Sequence, residues 1–392
     1  MKSRALRHIA CLFFVLLSAT AVANDDGNEV PLVRVTFEAE TPGGRSLGER
    51  TTEGQILVTA QDGGFLLLDR TGRIWSITPD RLTRREETGE TFTPFTQEEM
   101  AAAMQAELGD EFEIVTTKHY ILCTQASRDY ARWAGMLFER LMAAFLSHWD
   151  RRPLEVHEPE FPLCAIILKD KQHFQEFAIH DAGPGVLDAL GYYSTFTNRM
   201  VMYDLTAGLS GRRPQNVIEL NNRLRGQIAN VSTIVHEATH QIAFNSGLHV
   251  RLAENPFWLV EGMAMYFETP DLRNAAGWRS VGQENGSRLR QFRQFATTRR
   301  PADSLRTMLT EDEQFHAPDT ALDAYSEAWA LTYYLIKQKR AEYMNYLKLL
   351  SEKEPLHQDT SRQRLADFES AFGEIEQLEQ DFAKYARIRW GR

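Results

Sequence analysis

Apolar and polar side chains alternate between residues 31 and 90, as they do in strands that bury one face. The segment "VRVTFEAE" (33–40) shows this period of two. Three further apolar runs follow it, separated by "QDGG" and "RTG". Asp-Gly-Gly and Thr-Gly favour tight turns between paired strands. The pattern therefore predicts a small antiparallel β module over residues 31–90.

The spacing of apolar positions changes after residue 95. Thr96 and Glu99 form a capping box that begins a helix, and strand and helix patterns then alternate up to residue 204. This alternation implies a mixed α/β layer. From about residue 216 onward, apolar residues recur mostly at helical spacing. We therefore expect an α+β fold, with the β module followed by a mixed sheet within residues 96–270 and a mainly helical part over 271–392.

The start of the chain has the three parts of an export signal. Lys2, Arg4 and Arg7 precede the apolar run "IACLFFVLLSAT" (9–20), and "AVA" (21–23) is a small-residue cleavage pattern. We expect residues 1–23 to be a signal peptide and the protein to be exported, either periplasmic or secreted. The alternative is a membrane anchor. Twelve apolar residues are short for a bilayer span, so we expect no stable membrane span in the mature chain.

The composition narrows the class of partner. The 392 residues are 43% hydrophobic and 25% charged, with a formal net charge of −10. This acidic balance argues against nucleic acid as a partner, because phosphate binding requires a basic surface.

Cys123 and Cys164 lie in predicted strands. They either form a disulfide, if they are neighbours, or remain buried thiols. The sequence does not determine the oligomeric state.

A predicted helix over 228–242 carries two histidines and a glutamate in "STIVHEATHQIAFNSG". His236 and His240 are one helical turn apart, roughly 6 Å along the axis, so both imidazoles project from the same side. Two imidazole nitrogens at this spacing can bind one Zn²⁺ ion. Glu237 is adjacent and is placed to hold the metal's water and take its proton. This H-E-x-x-H arrangement predicts a hydrolytic metal site.

A catalytic zinc ion needs a third protein ligand. The pattern with a third histidine fails, since Ala243 and Ser246 occupy its glycine and histidine positions. His249 is off that spacing, and we expect it to be a loop histidine. Glu261 lies in a second predicted helix among apolar residues, where a carboxylate is costly to bury unless it binds a positive group. We expect Glu261 to be the third ligand; the alternative is a glutamate at a helix start, stabilised by the dipole.

Glu268 follows Glu261 by seven residues and shares its helix face. Two interpretations stay open for it. In one, its carboxylate orients a zinc-bound histidine through the imidazole nitrogen that does not bind the metal. In the other, it is an ordinary surface glutamate.

The segments "VHEATHQ" and "WLVEGMAMYFE" resemble the gluzincin metallopeptidases, the clan of thermolysin and the membrane alanyl aminopeptidases. The resemblance implies His236, His240 and Glu261 as zinc ligands and Glu237 as the general base. The loop between His240 and Glu261 is slightly longer than in the aminopeptidases. The aminopeptidase strand glycine-x-methionine-glutamate-asparagine, which in that branch recognises a free amino terminus, is absent.

Gluzincins commonly place a tyrosine on a later helix, where its hydroxyl stabilises the oxyanion. The segment "DAYSEAWALTYYL" (323–335) resembles that helix, which makes Tyr325 the candidate. A phenol donor near the metal would stabilise the charge that develops on the carbonyl oxygen. The alternative is a tyrosine that only packs in the helical part.

A closer resemblance is to a secreted bacterial family known as domain of unknown function 1570, which is described as peptidase-MA-like. It rests on "GYYSTFTNRMVMYD", "HEATHQIAFNSG" and "WLVEGMAMYFE" and covers roughly residues 110–390, so the β module lies outside it. The resemblance implies a zincin-like mixed sheet. By analogy, the strand region 191–204 would be the sheet edge that holds an extended peptide.

These observations predict a zinc-dependent metallopeptidase that acts on peptide or protein substrates. A second hypothesis is a non-catalytic, zinc-stabilised binding protein of the envelope, with the β module as its recognition part. A third is zinc-dependent hydrolysis of a non-peptide amide, such as a cell-wall cross-link, at the same site.

Overall fold

The computed structural model describes residues 30–210, 212, 214–274 and 277–391. The predicted signal peptide, residues 1–23, lies outside the described residues. Within the described part, every helix is too short or too polar to cross a membrane. The described residues divide into two compact units. The sheet unit comprises residues 30–139 and 159–230, and the helical unit comprises residues 140–158 and 231–391.

The predicted β module is a five-stranded antiparallel sheet in the sheet unit, with strand order β4-β3-β2-β1-β5. Alternate residues of β1, among them Val33, Val35 and Phe37, are buried in a small core that also contains Trp75. The exposed edge strand β5 carries many charged side chains, which discourage pairing with other chains. Its strands are β1 Pro31–Glu40, β2 Ser46–Thr59, β3 Phe65–Asp69, β4 Ile74–Ile77 and β5 Leu82–Thr91.

The sheet unit also contains the predicted mixed sheet, with order β6-β7-β8-β10-β9. Strands β7, β8 and β10 are parallel, and their nearly continuous burial follows from helices that cover a parallel sheet. The elements are α1 Gln97–Leu108, β6 Glu113–Thr116, β7 Tyr120–Thr124, α2 Arg128–Trp149, β8 Leu163–Leu168, α3 Lys171–Asp181, β9 Gly191–Ser194, β10 Arg199–Tyr203 and α4 Val217–Leu224. The last part of α2, from residue 140 onward, belongs to the helical unit. Strand β9 lies at one edge of this sheet. The role of residues 191–204 in holding an extended peptide stays a prediction.

The β module is hydrogen-bonded to the rest of the sheet unit. The Ile74 backbone N–H donates to the Phe196 carbonyl oxygen at 2.7 Å, and the Gly43 N–H donates to the Asp181 carbonyl oxygen at 3.0 Å. Glycine is required at position 43, because a Cβ there would lie 2.7 Å from the carbonyl oxygen of His180. The module is therefore packed into this unit through its backbone.

Cys123 and Cys164 lie on the neighbouring strands β7 and β8, and both are buried free thiols. A hydrogen bond between the two thiols, together with burial, raises the pKa of Cys123 well above its usual value. The structure therefore agrees with the alternative of two buried thiols and not with a disulfide.

The helical unit confirms the predicted helical C-terminal part, and together with the two sheets it confirms the α+β class. Its helices are α5 Ile228–Asn245, which begins three residues before the unit, α6 Phe257–Phe267, α7 Gly286–Thr298, α8 Ser304–Thr310, α9 Glu313–His316, α10 Ala321–Gln338, α11 Arg340–Ser351, α12 Ser361–Phe372 and α13 Ile375–Trp390. The predicted bounds between the parts 96–270 and 271–392 stay a prediction.

The close approach of α6 and α10 depends on one glycine. A Cβ at Gly262 would lie 2.1 Å from the Thr332 side-chain oxygen and 2.9 Å from the Ala328 carbonyl oxygen. Any larger residue would push the two helices apart. Because Gly262 follows Glu261 directly, this contact also sets the position of the Glu261 backbone.

Candidate metal centre

Helix α5 presents both predicted histidines from its buried face. His236 and His240 are one turn apart, their ring centroids lie 4.7 Å apart, and their Nε2 atoms lie 3.1 Å apart. The apolar residues of the same helix, such as Val235 and Ile242, are also buried. The two imidazoles are therefore held inside the helical unit by the packing that the periodicity predicted.

Helix α6 brings Glu261 to the same point. Its Oε2 lies 3.1 Å from His236 Nε2, and its Oε1 lies 3.5 Å from His240 Nε2. Glu261 is 2% exposed and lies beyond the first turn of α6, so stabilisation by the helix start does not explain it. The structure thus brings together all three predicted ligands.

The spacing of the three donor atoms fits a single metal ion. Two atoms that each lie 2.0–2.1 Å from a tetrahedral zinc ion are about 3.3 Å apart. The distances of 3.1, 3.1 and 3.5 Å between the three donor groups, the last two measured to different carboxylate oxygens of Glu261, agree with this value. His236, His240 and Glu261 can therefore hold a metal ion.

Glu268, at the end of α6, faces the opposite side of the His236 ring. Its Oε2 lies 3.2 Å from His236 Nδ1, and the residue is 3% exposed. An ionised carboxylate only accepts hydrogen bonds, so Nδ1 carries a proton, and Nε2 is the ring nitrogen that faces the other donors and is left to bind a metal. The interpretation of Glu268 as an orienting residue is supported, and the surface alternative is wrong.

Two residues for which the sequence predicted no role hold Glu268 in place. Asn285 donates from Nδ2 to Glu268 Oε1 at 2.5 Å, and Arg288 donates from Nε to the same oxygen at 3.2 Å. Asn285 also caps α7, since its side chain accepts from the backbone N–H groups of Ser287 and Arg288. Asparagine is a common residue type at helix starts, but no local pattern in the sequence connects Asn285 or Arg288 with Glu268.

The charges of the centre follow from this arrangement. Burial raises the pKa of Glu268, but Arg288 and His236 outweigh burial and hold the pKa below its usual value. Burial likewise raises the pKa of Glu261, and the two histidines lower it overall. Both carboxyl groups are therefore ionised at neutral pH.

In the metal-free centre, one of the two histidines is positively charged and the other is neutral. Burial lowers the pKa of His240 to about 4. Burial acts the same way on His236, but its hydrogen bonds to Glu261 and Glu268 outweigh it and raise the pKa to about 10. His236 therefore holds the proton, and a metal ion must displace it to bind.

Glu237 and Tyr325, the two predicted catalytic residues, lie close enough to this centre to interact electrostatically with its side chains. Glu237 follows His236 on α5 and is half-buried. Tyr325, on α10, lies with its ring 5.8 Å from the Arg288 guanidinium carbon and is buried. Burial and the negative charges of Glu261 and Glu237 raise the pKa of Tyr325 well above its usual value. Its hydroxyl therefore keeps its proton and can donate a hydrogen bond.

His249 lies outside the three-donor cluster, as predicted. Its backbone N–H donates to the Ala243 carbonyl oxygen at 3.1 Å, and its ring packs on Phe244 with centroids 5.2 Å apart. Burial lowers the pKa of His249 to about 3, so its ring is neutral. Within the described chain, neither ring nitrogen has a hydrogen-bond partner.

Comparison with known proteins gives one informative result. The curated proteins contain no match to the chain. Residues 230–357, which include the three-donor cluster and Tyr325, match the family model described as "Protein of unknown function (DUF1570)". This match supports placing the segment that carries the candidate metal centre in that family.

Proposed function

We propose that the protein is a zinc-dependent metallopeptidase, of the gluzincin type that the sequence resembles. The observation that supports this most strongly is the convergence of His236, His240 and Glu261, with donor atoms 3.1–3.5 Å apart and Glu237 next to the first ligand. The matched family description names no activity, so the proposal depends on the donor set and on the resemblance.

The donor set suits zinc. Two imidazole nitrogens and one carboxylate oxygen are typical of catalytic zinc sites, which keep a fourth position open. When bound, Zn²⁺ would lower the pKa of a water molecule and polarise the substrate carbonyl group. Magnesium and calcium prefer sites made of oxygen donors alone.

The residues of the chain then have separate tasks. Glu237 accepts a proton from water and passes it to the leaving amine. Glu268 holds the proton on His236 Nδ1, which keeps Nε2 free for the metal. Tyr325 donates a hydrogen bond to the oxyanion as the carbonyl carbon becomes tetrahedral. The proposed setting for this reaction is outside the cytoplasm, in the periplasm or the medium.

The variant Glu237→Gln tests the proposal. We expect it to bind zinc like the unchanged protein and to lose peptide hydrolysis, because an amide cannot accept the proton. Zinc is measured by mass spectrometry of the metal, and cleavage with a peptide library. Glu313→Gln removes an exposed glutamate outside the centre and serves as the matched control.

Three outcomes would contradict parts of the proposal. Full activity of Glu237→Gln would remove Glu237 as the base. Stoichiometric zinc without cleavage of any peptide would favour the non-catalytic binding protein. Activity confined to cell-wall amide cross-links would keep the metal chemistry and change the substrate class.

A further inference from the structure

A groove between α7 and α13, in the helical unit, has an apolar floor. Its volume is about 310 Å³. Phe292 forms the centre of the floor, with its ring centroid 5.7 Å from those of Phe382 and Trp390. Small side chains, such as Ala386, line the walls and leave the space open. This volume lies at the lower end of the range of small-molecule sites, which is roughly 300–1,000 Å³.

The walls of the groove carry unbalanced positive charge. Three arginines line it. Arg300 is neutralised by ion pairs with Glu327 at 2.6 Å and Glu379 at 2.5 Å. Arg293 and Arg387 make no side-chain hydrogen bond or ion pair with any other described residue. The described lining contains no aspartate or glutamate, although the whole chain has a formal charge of −10.

Arg293 is the more constrained of the two unpaired arginines. Its Nε atom is shielded from solvent and lacks a hydrogen-bond partner among the described residues. The two terminal nitrogens of the same guanidinium group are not shielded in this way and also lack a partner among the described residues, so they can donate to an acceptor in the groove. A planar guanidinium group matches the two oxygens of a carboxylate.

We propose that this groove binds a small amphipathic carboxylate. The apolar body lies on the rings of Phe292, Phe382 and Trp390, and the carboxylate accepts hydrogen bonds from Arg293 and Arg387. Two sources offer this chemistry, namely a free fatty acid and the C-terminal end of a peptide. The groove is separate from the metal ligands, so the proposal does not depend on peptidase activity.

Calorimetric titration of the purified full chain tests the proposal with two pairs of probes. Octanoate is compared with 1-octanol, and N-acetyl-L-phenylalanine with its amide. We expect saturable one-to-one binding of at least one carboxylate, and at least about tenfold weaker binding of its neutral analogue, since charge-assisted hydrogen bonds to both arginines are lost. Binding of octanoate alone identifies a fatty acid as the source, and binding of the amino-acid derivative alone identifies a peptide end.

Three variants locate the binding. Arg293→Gln and Arg387→Gln should each weaken binding by about tenfold, and Ala386→Trp should block it by filling the space. Lys384→Gln, on the exposed side of α13 and outside the lining, removes the same charge and should leave binding unchanged. Circular dichroism and thermal melting check that each variant is folded; Arg387 is exposed, so its variant remains usable if Ala386→Trp does not fold.

Several results would overturn the proposal. These are the absence of saturable binding for both carboxylates, equal binding of the neutral analogues, and unchanged affinity in a variant that lacks both arginines. A concentration-dependent dimer in sedimentation, lost in Arg387→Gln, would assign the groove to a second copy of the chain and would overturn it as well.

Discussion

The Nδ1 atom of His236 lies 3.2 Å from Oε2 of Glu268, so one buried carboxylate decides which nitrogen of the imidazole faces the other metal donors. Glu268 is in turn held by Asn285 and Arg288. The candidate centre is therefore supported by a chain of hydrogen bonds that reaches from α5 through the end of α6 to α7.

The variant Glu268→Gln should bind zinc 10–100-fold more weakly, as is typical when a hydrogen-bond partner of a metal-bound histidine is lost. The amide has a similar shape but no charge, so it holds the Nδ1 proton less strongly. Competition with a chromophoric chelator measures the affinity. An unchanged affinity would mean that the ring of His236 is oriented by its packing alone.

The variant Glu261→Gln should lose more zinc than Glu268→Gln, because it replaces a charged ligand with a neutral amide. We expect less than one equivalent of metal after dialysis. Metal analysis of both variants, prepared side by side, gives the comparison. Full stoichiometry in Glu261→Gln would place the third ligand elsewhere.

Zinc affinity should rise with pH. In the metal-free centre His236 holds a proton, because its pKa is raised to about 10, and the metal must displace this proton. Affinity should therefore increase by about tenfold per pH unit between pH 6.5 and 8. Chelator competition at several pH values tests this, and a flat profile would show that no proton is released.

The stability of the metal-free protein should fall as pH rises, in contrast to the zinc affinity. A raised pKa at His236 stabilises the folded state fully below the unfolded value of about 6.5, and this contribution is lost as pH rises toward about 10. The free energy of unfolding, measured in urea with chelator present, should therefore fall between pH 7 and 9. The variant His236→Gln should show a smaller decline.

The variant Gly262→Ala should destabilise the protein. Alanine is favoured over glycine in a helix by about 1 kcal/mol, but its Cβ would lie 2.1 Å from Thr332 Oγ1. Overpacking of this kind costs about 1–3 kcal/mol, so the steric term outweighs the helical preference. Urea denaturation measures the loss. A second change, Thr332→Ala, should restore part of it, and no restoration would point to the Ala328 carbonyl as the main obstacle.

If the chain is a peptidase, Tyr325→Phe should lower kcat by about 100–1,000-fold, since removing one oxyanion donor has an effect of that order. Zinc content should stay the same, because Tyr325 is not one of the three donors. Steady-state kinetics on a cleaved peptide provide the test. An unaffected kcat would leave Tyr325 with the packing role that its neighbours Phe257 and Phe315 suggest.

Much of the centre could be predicted from local patterns. His236 and His240 lie on one helix, and a separation of four residues fixes their relative position whatever surrounds that helix. The prediction of Glu261 required a further argument, namely that a carboxylate is costly to bury among apolar residues unless it binds a positive group. The roles of Asn285 and Arg288 could not be predicted from the sequence, since they depend on the path of the chain between α6 and α7.

By itself, the sequence predicted the β module, the mixed sheet, the helical C-terminal part and the three candidate metal donors, because periodicity, turn residues and the cost of burying a charge can be judged from neighbouring residues. Only the tertiary structure decided that Glu268 is buried against His236, that Gly262 allows α6 to approach α10, and that Arg293 and Arg387 face one groove. These relationships join residues 32 to 94 positions apart, and such distances are set by how helices pack rather than by any local pattern.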